Sequence, residues 1–153
     1  MTFEELYRSH FPDVRRFALY LTGNFAEADD IASETFVRAW AADAPVKARS
    51  LNAYLFSIAR NLHRRSRRRA AFQAEVPDEP PGLERELAGR SELAEMLARL
   101  QSVPEIDRAA LLMRAFHDLP YDEIAAALGI TVASAKVKVH RARNILIAHR
   151  SKT

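Results

Sequence analysis

The sequence predicts an all-α fold: two small helical modules joined by a flexible linker, the C-terminal one a helix-turn-helix. Three observations predict it. Only 4 glycines and 7 prolines interrupt 153 residues in which helix formers such as Ala, Leu, Arg and Glu are prominent. Apolar residues recur at spacings of three and four rather than alternating. Between two such periodic regions, Glu75 to Gly82 carries Pro77, Pro80, Pro81 and several acids, the composition of a linker. The expected division is a first module over 1–70, a linker over 71–90 and a second module over 91–153.

Thr2-Phe3-Glu4-Glu5 has the form of a capping box, in which the hydroxyl and the Glu5 carboxylate accept from first-turn amides. The helix it opens carries Phe3, Leu6 and Tyr7 on its apolar face. Pro12 is expected to kink or restart it, and Val14, Phe17, Ala18 and Leu21 extend the stripe to a stop at Gly23. Asn24 to Glu27 is a second start, leading to a helix with Ile31, Thr35, Phe36, Ala39 and Trp40 on one face. Ala41 to Arg49, with Pro45, reads as a loop, and Ser50 as the cap of a third helix. Leu51, Tyr54, Leu55, Ile58, Ala59 and Leu62 give that helix one buried side, and its end is rich in arginine.

After the linker, Leu83 to Leu100 reads as a helix. Pro104 opens another with Ile106, Ala109, Ala110, Met113 and Phe116 on its inner face, and His117 to Pro120 turns the chain. Tyr121 to Leu128 is a short helix, Gly129 supplies the positive φ of a tight turn, and Thr131 caps a longer helix running to about His149. On that last helix Val132, Ala135, Val139, Ala142 and Leu146 form the stripe expected to face the core. Ala133, Ser134, Val137, His140, Arg141 and Asn144 then face outward, flanked by Lys136 and Lys138. Small and hydrogen-bonding groups beside long cations are the layout of a helix that reads base edges and holds phosphates. Val137, apolar on the outer face, suits contact with a thymine methyl in the major groove.

Charge order sharpens the expectation of a nucleic-acid partner. The net charge is only +3, yet residues 46–70 contain 8 basic residues and no acid, and residues 132–153 contain 6 and none. Residues 1–45 hold 4 basic residues against 8 acids. Two acid-free cationic blocks in acidic surroundings attract phosphate backbones by Coulomb forces and counterion release. The absence of cysteine excludes disulfides, thiolate zinc sites and thiol redox sensing. No secretory signal pattern and no run of about 20 apolar residues occurs, so no membrane insertion is expected and the cytoplasm is the expected location. A metal-dependent enzyme would draw on Glu27, Asp29, Asp30 and Glu34. No histidine lies near them in sequence, and neighbours such as Asp29 and Asp30 point about 100° apart on a helix, a poor fit to one octahedral site. No enzymatic activity, catalytic residue, metal or cofactor is expected.

Both modules, in this order, resemble the extracytoplasmic-function sigma factors of the primary sigma superfamily, over nearly the whole chain. Glu27-Ala28-Asp29-Asp30-Ile31-Ala32-Ser33-Glu34-Thr35-Phe36, followed by Arg38-Ala39-Trp40, is similar to the family's acidic polymerase-binding helix. Ala53-Tyr54-Leu55-Phe56-Ser57-Ile58-Ala59-Arg60-Asn61-Leu62, leading into Arg64 and Arg65, resembles its minus-ten recognition helix. Tyr121-Asp122-Glu123-Ile124-Ala125, Leu128-Gly129-Ile130, Lys136 and His140-Arg141-Ala142-Arg143 resemble its minus-thirty-five reader. The resemblance implies a protein that directs RNA polymerase to promoters. It places Asp30, Ile31, Glu34 and Phe36 at or beneath the surface that docks on core polymerase. Asn61, with Arg64 and Arg65, would serve the minus-ten element, Asn61 near a flipped base in a pocket formed by the 41–49 loop. Ser134, Lys136, Val137, His140 and Arg141 would serve the minus-thirty-five element. Core RNA polymerase, promoter DNA and an anti-sigma factor are the implied partners. Ser33 stands where the family usually has glutamine, which predicts a weaker or shifted polymerase contact. Val137 stands where a small polar residue is frequent, which leaves the exact minus-thirty-five sequence open. No further domain is expected after the recognition helix. A stand-alone dimeric helix-turn-helix regulator also explains the second basic block, but not the first.

Overall fold

The computed structural model describes residues 2–42, 51–72 and 92–151, and shows seven helices and no strand among them. Most of the expected loop at 41–49, the Ser50 cap, most of the expected linker and the first half of the Leu83–Leu100 helix lie outside these residues.

Helix α1, Phe3–Thr22, begins at the capping box: Glu5 N donates to Thr2 Oγ1 at 3.2 Å, and Thr2 N donates to Glu5 Oε2 at 3.1 Å. Its end is set by Gly23, whose φ of 71° lets its N–H bond back to the Leu19 carbonyl. Pro12 does not divide the helix. It sits at an exposed position, where the carbonyl it leaves without an N–H partner can be solvated. Asn24 caps α2, Phe25–Ala41, by accepting from Glu27 N at 2.8 Å. Helix α3, Leu51–Phe72, completes the first module.

The second module comprises α4, Glu92–Gln101; α5, Glu105–His117; α6, Tyr121–Leu128; and α7, Val132–Ser151. Asp118, at φ 48°, closes α5, and Gly129, at φ 68°, closes α6. Thr131 caps α7 through a 3.0 Å bond from Ser134 N. The helix-turn-helix therefore falls where the sequence placed it.

Phe17, Phe36, Phe56 and Leu55 are fully buried in the first module, and Leu112, Met113, Ile124 and Val139 in the second; all belong to one continuous cluster. The modules thus pack on each other. Helix α5 explains why: every residue from Asp107 to Met113 is buried, more surface than one module can cover. Helices α1 and α3 supply the rest. Phe56 lies 4.3 Å from the His117 ring, Tyr20 lies 4.7 Å from Phe116, and the Arg16 guanidinium stacks 4.1 Å from the Phe116 centroid. Arg60 meets Glu105 through two parallel bonds of 2.8 and 2.9 Å.

Three positions expected on apolar faces are exposed: Phe3, Trp40 and Val132. Trp40 is 48% exposed, because it lies over Phe3 at the rim of the α1–α2 contact rather than under it. Val132 is 41% exposed, because the first turn of α7 precedes the point where the helix meets α5.

Candidate nucleic-acid interface

The first basic block divides by helix face. Arg64, Arg65, Arg67, Arg68 and Arg69 are exposed on the outer end of α3, whereas Arg60 turns inward to Glu105. Asn61 is exposed and shares a surface depression of about 500 Å³ with Arg38, Tyr54, Ile58, Leu62 and Arg65. An amide, an aromatic ring and two guanidiniums around one hollow can stack a base and bond its edge. Arg64 is exposed outside that lining.

The second basic block presents a single face. Lys136, Val137, His140 and Arg141 line an outward depression of about 600 Å³ on α7, together with Asn144, Ile145 and Ala148. Four of the five residues expected at the minus-thirty-five element are brought together there. Ser134 stands apart, half-buried a turn earlier. Val137 is 52% exposed, as an apolar contact with a partner requires. The Lys136 ammonium lies 5.7 Å from the Tyr121 ring centroid, which ties the start of α6 to this face of α7.

On α2, Asp30, Ser33, Glu34 and Val37 are exposed along one face, while Ile31 and Phe36 lie beneath in the core. The acids there do not converge. Glu34 bonds Arg38 at 3.0 Å, Asp29 bonds Arg15 at 2.6 Å, and Glu27 bonds the buried His63 at 3.0 Å. Among the described residues no three His, Asp or Glu side chains are grouped to hold a metal ion, and no helix is long and apolar enough to cross a membrane.

Four buried polar residues escaped the sequence reading: Arg60, His63, Asp107 and Arg108. His63 was findable, since it falls four residues after Ala59 and seven after Phe56, in register with the apolar stripe. The others depend on contacts from distant helices. Burial pulls the Arg108 guanidinium below its ordinary pKa, although Glu105 opposes the shift. The same side chain donates to the carbonyls of Leu100 and Val103, closing the end of α4.

Sequence comparison matches residues 6–73 to the Sigma-70 region 2 family and residues 93–146 to Sigma-70, region 4. The chain is 35% identical over 146 residues to the ECF RNA polymerase sigma factor EcfG of Rhodopseudomonas palustris (strain TIE-1), covering 90% of this chain and 78% of that protein. The chain belongs to the extracytoplasmic-function sigma factors. A second sigma factor, SigE of Mycolicibacterium smegmatis (strain ATCC 700084 / mc(2)155), is 32% identical over 165 residues, with 99% of this chain matching 64% of its length. In three dimensions the chain is similar to the sigma factor RpoE of Bartonella quintana, solved in complex with the anti-sigma factor NepR. The TM-score is 0.76 at 27% identity, over 94% of this chain and 93% of that one. The region 2 match accounts for the first basic block, which a stand-alone helix-turn-helix regulator leaves unexplained. Exposed Arg64 to Arg69 thus belong to a region 2 sigma fold, and the α7 depression to region 4.

Proposed function

We propose that this sigma factor directs core RNA polymerase to specific promoters and opens them without enzymatic activity or cofactor of its own, in the cytoplasm. Region 2 corresponds to residues 1–70 and region 4 to residues 91–153, with 71–90 as tether. Region 4 reads the minus-thirty-five element through Lys136, Val137, His140 and Arg141, with Ser134 at the edge of the contact. Region 2 holds the minus-ten element through Asn61, Arg64 and Arg65. Capture of an unstacked base beside Asn61 and Tyr54 replaces stacking lost from the duplex, so opening is driven by binding energy. The α2 face bearing Asp30 and Glu34, supported from beneath by Ile31 and Phe36, docks on core polymerase. An anti-sigma factor is a further partner, as it is for the Bartonella relative.

The observation that carries the proposal is the gathering of Lys136, Val137, His140 and Arg141 around one outward hollow of α7 on a chain whose other basic helix also faces out. Reconstitution of the chain with core polymerase, followed by sequencing of the transcripts made on genomic DNA, tests it. New start sites preceded by a shared pair of upstream elements are expected. Core enzyme that gains no start-site selectivity would overturn the proposal.

A further inference from the structure

Asp107 sits on α5, a helix that carries none of the residues assigned to DNA. Its side chain is 1% exposed, and its Oδ2 atom is buried without a hydrogen-bond partner. A carboxylate removed from water needs cations close by to remain ionised. Both come from α7. The Lys138 ammonium lies 4.0 Å from Oδ1, and Arg141 Nη1 lies 3.6 Å from Oδ2. Lys138 and Arg141 are three residues apart, so one acid faces both from the same side of the helix. The separations are too long for direct hydrogen bonds, which leaves charge attraction as the link.

The two cations are held differently. The Lys138 side chain is 19% exposed, whereas that of Arg141 is 55% exposed and lines the reading hollow with its remaining donors outward. An untethered arginine can settle on any phosphate, which adds affinity without sequence information. A guanidinium with one edge drawn toward a fixed carboxylate has fewer orientations, and those that remain favour one place in the groove.

We propose that Asp107 is a positioning residue that sets specificity at the minus-thirty-five element: it orients Arg141 toward the bases and withholds Lys138 from the phosphate backbone. This rests on the assignment of Arg141 to base reading made above.

The test uses holoenzyme reconstituted from the full chain and core polymerase, with fluorescent promoter duplexes whose minus-thirty-five element is intact or scrambled, across a salt series. For Asp107→Asn, discrimination between the duplexes should fall about threefold or more as the oriented base contact is lost. Affinity for the scrambled duplex should hold or rise, with a salt slope steeper by about 1 to 2 as freed cations reach phosphates. Asp107→Glu, which restores the charge, should recover part of the discrimination. Equal weakening on both duplexes at unchanged slope would show a merely structural role and overturn the proposal. Lys138→Gln gives an independent reading, also decisive if Asp107→Asn does not fold. Its salt slope should match the parent, because Lys138 is already committed to Asp107. A slope shallower by about 1 would mean that Lys138 contacts phosphate and would overturn the proposal. Arg141→Ala separates the two levels. If it leaves discrimination intact, the base-reading assignment fails; if it abolishes discrimination and Asp107→Asn does not, only the positioning role fails.

Discussion

Arg60 and Glu105 lie 45 residues apart, with side chains only 7% and 25% exposed, and meet in bidentate geometry. Removing one partner of such a pair strands the other charge in a poorly hydrated place. Glu105→Ala should therefore destabilise the chain by about 2 kcal/mol, below the fully buried range because Glu105 keeps some contact with water, as read by urea unfolding. His117 sits at the same contact, packed on Phe56, with its Nε2 buried and without a hydrogen-bond partner. Burial lowers its pKa below the ordinary 6.5, Asp13 acting in the opposite direction and Arg16 in the same one. The unfolded chain then binds the proton more readily than the folded one. Stability from this group is intact above pH 6.5 and is lost as pH falls from there through the lowered folded value. His117→Phe should flatten that part of the stability profile, measured by thermal unfolding between neutral and mildly acid pH. Asn61 belongs to the surface instead. Asn61→Ala should impair promoter opening more than polymerase binding, seen as weaker permanganate reactivity of the melted strand at saturating holoenzyme.

Helix ends in this chain are written locally, and two of them differ in what lies around them. Gly23 and Gly129 both adopt φ near 70°. A Cβ at Gly129 would meet nothing within 4 Å, so Gly129→Ala should cost only the left-handed backbone penalty, about 1 kcal/mol. A Cβ at Gly23 would stand 2.9 Å from Gln101 Nε2 of the other module. Gly23→Ala should therefore destabilise more than Gly129→Ala and displace Gln101, whose amide donates to the Tyr20 carbonyl at 3.4 Å. Thermal melts of the two variants side by side decide the order. Helix α5 shows the opposite dependence, since nothing in its own sequence marks Asp107 and Arg108 as interior. They are buried because α1, α3, α4, α6 and α7 surround it.

Across the whole molecule, the packed arrangement sets a limit on reach. A compact chain of this length is about 40 Å across. Elements named for positions ten and thirty-five are about 25 base pairs apart, roughly 85 Å of duplex at 3.4 Å per pair. On the proposed assignment of the minus-ten element to region 2 and the minus-thirty-five element to region 4, one packed body is too small to hold both, so the contacts of Tyr20, Phe56 and Arg60 with Phe116, His117 and Glu105 are expected to part when both elements are engaged. Fluorescence labels on α2 and α7 should show high energy transfer in the free chain and low transfer in holoenzyme on promoter DNA. Unchanged transfer would mean that the modules stay together. Glu105→Ala should lower transfer in the free chain as well, since it removes the charged part of the contact.

Among the described residues, sequence alone determined most of the helices, the caps at Thr2, Gly23, Asn24, Gly129 and Thr131, and the outward faces of α3 and α7, because each follows from spacing within a few residues. Thr2, Asn24, Gly129 and Thr131 act on their own turn, and Val137 is exposed because its neighbours Val139 and Ala135 must be buried. The grouping of Lys136, Val137, His140 and Arg141 was legible for the same reason. Tertiary structure alone decided that Arg60 leaves the basic face for Glu105, that Trp40 stays at the surface, and that Asp107 stands behind Arg141. Each of those outcomes depends on a partner from a distant part of the chain, and a burial or a charge pairing formed across such distances leaves no periodic trace along the sequence.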